Sequence, residues 1–173
     1  MSGKIWYRLS NKKNIQEGHL FITEKGLYSE DRYVPELEII MKKYPNAILT
    51  LNSAFYYYGL TDTIPDHYYV ATPKSNRKIE DVRVNQIYEN SNAFEMGKTT
   101  IEYDGVDITI YNEERLLIEL IRNKRKFSFD LYKEIISNYR KLIHKMDMTQ
   151  IMEYAYELPK TNMVMETIRL KIL

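Results

Sequence analysis

NAILTLNSAFYYYGLTDTIPDHYYVATP, residues 46–73, is the stretch on which the fold turns. Ala47 to Thr50 is a short apolar run of strand type. Asn52 or Ser53 is placed to cap a helix over residues 52–58 by accepting a backbone N–H bond. Gly59 ends that helix, because glycine takes the left-handed conformation past a helix end without a Cβ penalty. Leu60 follows where an apolar contact with the helix is expected. Asp62, Pro65 and Asp66 make a turn: proline presets φ, and aspartate bonds its own backbone. His67 to Ala71, rich in Tyr and Val, is a second strand, closed by Thr72-Pro73.

Downstream, the charged loop 74–81 leads to Val82, Val84 and Ile87, whose alternation with polar residues predicts a strand buried on one face. Glu89 to Asn92 reads as a loop. Lys98–Tyr103 and Val106–Tyr111 flank Asp104-Gly105, the strongest short hairpin signal in the chain. Asn112 caps a helix from Glu113 to Arg122. Glu113 and Glu114 favour its positive end, and Leu116, Leu117, Leu120 and Ile121 form its buried stripe. The remainder is helical. Ser128 caps a helix to about Lys145, with Tyr132, Ile135, Ile136, Tyr139, Leu142 and Ile143 at helical spacing. Asp147 caps the next, which carries Ile151, Met152, Ala155 and Leu158. Pro159 breaks it, and residues 161–172 form the last, with Val164, Ile168 and Ile172 inward.

Upstream, Pro35–Tyr44 is a helix with proline in its first turn. Pro45 stops it. Residues 19–28 read as a β-hairpin about Thr23-Glu24-Lys25. Ile5, Trp6, Tyr7 and Leu9 allow a strand or a helix stub.

The sum is an α+β fold. A small, mostly antiparallel sheet is flanked by helices, with a C-terminal helical segment and an N-terminal hairpin. The 173 residues allow one domain or one with a small appendage, and 44% hydrophobic content is ample for a core. A net charge of +1 carries no nucleic-acid signature. The absence of cysteine excludes disulfides, cysteine-ligated metals and a thiol nucleophile. No apolar run approaches the ~20 residues of a membrane span, and the N-terminus lacks an apolar signal core. The expected location is cytoplasmic.

The central stretch resembles the segment "(I/L)(S/T)xxSALYxxGL(T/S)DxxPxxxxVxxP" of AbiEi-type antitoxins from bacterial abortive-infection AbiE systems. The matching residues are Ser53, Ala54, Tyr56, Gly59, Leu60, Thr61, Asp62, Pro65, Val70 and Pro73. A second match follows. Tyr103-Asp104-Gly105-Val106-Asp107-Ile108-Thr109, then Glu114-Arg115-Leu116-Leu117, resembles "xDGxxVTxxERTLxDLL". The resemblance covers roughly Gly18 to the C-terminus. It implies a non-enzymatic, antitoxin-like regulator of a type IV toxin–antitoxin, phage-defence system, functionally paired with a nucleotidyltransferase-like toxin without a stable complex. It also implies a transcriptional role for an N-terminal winged helix, whose wing pattern "GxLxxxxRGLY" fits Gly18, Leu20, Gly26, Leu27 and Tyr28. Residues 1–34 are then a truncated winged-helix remnant and 35–173 the antitoxin domain. The departure lies upstream of Gly18. Seventeen residues precede it, and they hold no amphipathic helix of ordinary length, ~10–14 residues. The helix that would enter a DNA major groove is therefore expected to be missing, and Glu24 offsets Lys25 in the wing.

Between Arg122 and Lys145 eight cations face two acids, a local excess of six. Arg122, Lys124, Arg125, Lys126, Lys133, Arg140 and Lys141 are the candidates for contact with an anionic partner, nucleic acid or protein. This supports an alternative function, a stand-alone protein- or RNA-binding domain. An ordinary solvated helix face produces the same pattern. Catalysis has thin support. Asp104, Asp107 and Glu114 are near one another in sequence, as metal or acid–base carboxylates are. The turn needs Asp104 and the helix end needs Glu114. Glu95-Met-Gly-Lys98 misses a nuclease-like acid plus Glu-x-Lys pattern by one residue. His19, His67 and His144 lack ligand spacing, so neither a metal nor a cofactor is expected. Arg115, at the start of its helix, suggests an ion pair with Asp62, as a partner surface or as a geometric lock.

Overall fold

The computed structural model describes residues 20–173 and the backbone of Ile5–Tyr7. Its elements in chain order are β1 (Ile5–Tyr7), β2 (Phe21–Glu24), β3 (Leu27–Ser29), α1 (Glu36–Lys43), β4 (Ile48–Leu49), α2 (Leu51–Tyr57), β5 (Tyr68–Pro73), β6 (Val84–Glu89), α3 (Ser91–Phe94), β7 (Lys98–Tyr103), β8 (Val106–Tyr111), α4 (Glu113–Arg122), α5 (Phe129–Leu142), α6 (Met148–Glu157) and α7 (Thr161–Lys171). Short 3-10 turns, Lys124–Lys126 and Ile143–Lys145, precede and follow α5. The α+β class expected from the sequence is the class observed.

Packing divides the chain into two units. The first comprises residues 1–47 and 100–109, and so includes α1, assigned above to the second segment. In it β1 and β2 both pair antiparallel with β3. The β2–β3 hairpin is the expected one, and the strand alternative for residues 5–7 is the one adopted. Gly18, His19 and, apart from the backbone of Ile5–Tyr7, the residues upstream of them lie outside the described residues. Helix α1 starts one residue after Pro35, which occupies the N-cap position. Lys43 of α1 is tied to Glu24 of β2 at 3.0 Å.

The second unit, residues 48–99 and 110–173, carries the central stretch. The larger sheet has the order β6-β5-β4-β8-β7 and is mixed. β4 runs antiparallel to β5, but β4–β8 and β5–β6 are parallel. Parallel pairing needs a crossover connection. Hence β6 runs alongside β5 after a long loop, and β8 returns beside β4 from far along the chain. The Asp104-Gly105 turn has φ of +48° and +79°. Positive φ at both central residues is the primed turn whose twist suits a hairpin.

Three local expectations change. Neither Asn52 nor Ser53 caps α2. Thr50 is the N-cap, without a side-chain bond, and Ser53 is turned inward to bridge backbone on β5. Its hydroxyl donates to His67 O at 3.1 Å and accepts from Tyr69 N at 2.8 Å. Residues 84–89, rather than 82–87, form the strand, and Val82 is 90% exposed. A short helix, α3, replaces the loop expected over residues 89–92. The other caps are as read. Asn112 accepts from Arg115 N, Ser128 from Leu131 N, and Asp147 from Thr149 N and Gln150 N. Helix α4 packs against α2, α6 and α7. Leu116, Leu117, Ile118 and Leu120 are fully buried there.

Candidate functional site

The motif residues of the central stretch are held by backbone geometry and by α5. Gly59 has φ +67° and carries the chain out of α2. Asn138 of α5 then donates its side-chain amide to Leu60 O at 3.0 Å. Glu134, one turn earlier, accepts from Thr61 Oγ1 at 3.0 Å and from Asp62 N at 3.3 Å. The Leu60–Asp62 segment is thus docked by one helix face. Asp62 itself is exposed, and Pro65 is half-buried. Below them Asp66 accepts from Tyr69 Oη at 3.1 Å, and its other oxygen lies 3.0 Å from His67 Nδ1. Slight desolvation opposes ionisation of Asp66. The hydrogen bond from Tyr69 and the His67 imidazole beside it outweigh this, and hold its pKa below the usual carboxylate value. A cavity of about 330 Å³ lies between this loop and the start of α5, lined by Phe55, Thr63, Ile64, Phe127 and Leu131 among others.

The second motif builds a buried charge centre. Arg115 is completely buried. Its partner is not Asp62. Nε donates to Glu119 Oε1 at 3.0 Å, and Nη1 donates to Ala93 O at 2.8 Å and to Met96 O at 3.4 Å. Nη2 lies 2.9 Å from Glu119 Oε1 and 3.7 Å from Glu89 Oε2, close enough for ion pairing but without hydrogen-bond alignment. The guanidinium also stacks 4.8 Å from the centroid of the Tyr111 ring. The pairing with Asp62 fails because the first turn of α4 faces the α3–β7 connection. Residue 119, four positions on, lies on the same helix face as Arg115. That spacing was the one available sequence signal for the true partner. Desolvation raises the pKa of Glu89. Glu119 adds to the rise, while Arg115, Arg122 and Lys126 oppose it. Tyr111 closes the floor by donating to Phe94 O at 2.9 Å.

Glu114 accepts from Asp147 N at 3.1 Å and so ties α4 to the start of α6. Its neighbour Glu113 receives the Tyr139 hydroxyl at its carbonyl, 3.0 Å away. Burial, with Glu113 next, holds that phenol well above its ordinary pKa. Asp104, Gly105 and Asp107 are exposed on the hairpin. Among the described residues no group of three or more His, Cys, Asp or Glu is arranged to hold a metal ion. Nor is any helix there long and apolar enough to cross a membrane.

The basic candidates fall into two sets. Lys133, Arg140 and Lys141 are exposed on α5. Arg140 Nε donates to Lys171 O, and Lys141 Nζ donates to Asn138 Oδ1 at 3.0 Å. The other set, Arg122, Lys124, Arg125 and Lys126, surrounds a cavity of about 380 Å³ together with Lys160. Lys160 lies more than thirty residues away in sequence, beyond reach of a charge-run reading. Glu134 and Asn138, which dock the motif loop, also went unread, since polar residues at helical spacing look like any solvated face.

No family model and no curated protein matches the chain.

Proposed function

We propose that this chain is a non-enzymatic, antitoxin-like regulator of a type IV, AbiE-type toxin–antitoxin or phage-defence system. It acts in the cytoplasm and opposes a nucleotidyltransferase-like toxin. One observation carries the reading. The two stretches that resemble the antitoxin family, residues 53–73 and 103–117, are the ones from which α2, β5, the β7–β8 hairpin and the start of α4 are built. Their polar residues supply turns, docking bonds and a buried ion pair, as a scaffold would, rather than a set of reacting groups. Ser53 bridges the backbone of β5, and Arg115 is held by Glu119 and by two backbone carbonyls, which are structural roles.

The test is genetic. A nucleotidyltransferase-like gene should adjoin this one, and inducing it alone should arrest growth. Co-expression of this chain should restore growth. A neighbouring toxin whose arrest persists despite a folded, expressed chain would overturn the proposal. Any part in transcription is secondary: the near-neutral wing gives no basis for strong operator recognition. A second reading, a protein- or RNA-interaction domain, is favoured by the exposed cations of α5. It predicts that reversing Lys133, Arg140 and Lys141 abolishes partner binding without unfolding the chain.

A further inference from the structure

We infer that the cavity between the end of α4 and the start of α7 is a polyphosphate site that takes the phosphate chain of a nucleoside polyphosphate. This inference is independent of the antitoxin reading.

Five cationic residues line the cavity: Arg122, Lys124, Arg125, Lys126 and Lys160. No acid lines it. Lys124, Arg125, Lys126 and Lys160 are exposed, and like charges gathered around one cavity repel one another, most at low salt. An ordinary protein surface relieves that repulsion with interleaved acids. Here only Arg122 has one, Glu119, at 2.6 Å from Nη1. Glu89 exerts a weaker pull on Arg122 and Lys126. Lys124, Arg125, Lys126 and Lys160 have no acid within ion-pair distance among the described residues. Lys124 instead sits 5.3 Å from the centroid of the Tyr132 ring.

Three further features point to a bound anion. The Nε–H of Arg122 is buried and lacks a hydrogen-bond partner, although buried donors are nearly always satisfied. Lys160 donates to Arg122 O at 2.7 Å, which fixes its stem across the cavity and leaves two of its three donors free. Lys160 also adopts φ +70°, a left-handed conformation unfavourable for a side chain other than Gly, Asn or Asp. Strain of this kind gathers at ligand clamps. Lys160 stands at the N-cap of α7 with no side-chain cap, so the free N–H groups of that helix add a positive end.

Size and wall chemistry select the ligand. The volume lies within the ~300–1,000 Å³ typical of small-molecule sites. Four uncompensated charges suit a chain of phosphates better than a single one. Met163 contributes an apolar wall against which a base can pack. The cavity is too short to follow a duplex backbone, so nucleic acid is an outcome of the test rather than the proposal.

The experiment is a calorimetric titration of the full chain with ATP, inorganic tripolyphosphate and a single-stranded oligonucleotide, at ~0.1 M salt to screen distant charges. Two double variants are compared, each removing two cations. Arg125→Ala/Lys160→Gly lies in the cavity, and glycine accepts the left-handed φ, so the fold should be retained. Lys133→Ala/Lys141→Ala lies on α5 outside it. Wild type should bind ATP and tripolyphosphate. The cavity variant should lose affinity for both by about tenfold or more, as expected when charge-assisted contacts go. The α5 variant should bind within about twofold of wild type. Tighter binding of ATP than of tripolyphosphate shows that the base adds to recognition; equal binding shows that the phosphate chain alone is read. The inference fails if neither ligand binds at ~1 mM. It fails equally if both variants weaken binding alike, or if only the oligonucleotide binds in a cavity-dependent way.

Discussion

Arg115 and Arg122 stand seven residues apart on α4, two turns of one helix, and have opposite surroundings. Arg115 is enclosed, with carbonyls, Glu119 and an aromatic ring around its guanidinium. Arg122 shares Glu119 but opens onto a cavity of cations, with one buried N–H unpaired. The difference teaches that charge in this chain does not by itself mark a working surface. Each keeps one buried N–H without a hydrogen bond, so what separates the two regions is enclosure. Arg115 is sealed among its partners, which locks geometry; Arg122 lines a cavity of further cations, which leaves a role for a ligand.

The comparison breaks most sharply at Arg115. Replacing it with Met should destabilise the chain by roughly 3–5 kcal/mol, the cost of leaving a buried partner charge uncompensated. Arg122→Met should cost less than half as much, because Arg122 is the more exposed. Urea denaturation of both variants checks this, and similar losses at the two positions would erase the distinction.

Gly97 sharpens it next. This residue has φ +76°, and a Cβ there would lie 2.6 Å from Arg115 Cβ and 2.8 Å from Asn112 Oδ1. Gly97→Ala therefore adds backbone strain to overpacking, about 2–4 kcal/mol together. Gly105 has φ +79° but open space around it, so Gly105→Ala should cost only on the order of 1 kcal/mol. Thermal melts of the two variants should differ visibly. Equal shifts would mean that the wall around Arg115 is not rigid.

The smallest expected effect is in pH dependence. Desolvation raises the pKa of Glu89 above its unfolded value of 4.5. In the window just above that value the folded state holds the proton more tightly than the unfolded one. Glu89 therefore favours folding more as pH falls through the window, and its contribution levels off below 4.5. Glu89→Gln should remove this part of the stability profile. A difference curve between wild type and variant that is flat over the window, or that slopes the other way, would show that Arg115 overrides desolvation at this carboxyl.

Much of the fold could be read from residues alone because its signals are local. The Asp104-Gly105 turn, the caps Asn112, Ser128 and Asp147, and the stop at Gly59 each depend on a few adjacent atoms. The site was read less well. Arg115 was singled out correctly as a paired arginine, but Asp62 was the wrong partner, because an exposed turn residue and a buried one look alike in sequence. Ser53 resembled a helix cap and became an inter-strand bridge, since a hydroxyl suits either role and packing chose. The basic run was visible; its division into an α5 face and a cavity was not.

By itself, then, the sequence determined the longer helices, the hairpins, their stops and the α+β class. Propensity, capping and hydrophobic period act within a turn or two of chain. Only tertiary structure decided the parallel pairings of β4 with β8 and β5 with β6, the closure of Glu89 and Glu119 around Arg115, and the meeting of Lys160 with Arg122. Each joins residues far apart along the chain or selects one partner among several of equal charge, and burial makes that selection only once the layers have packed.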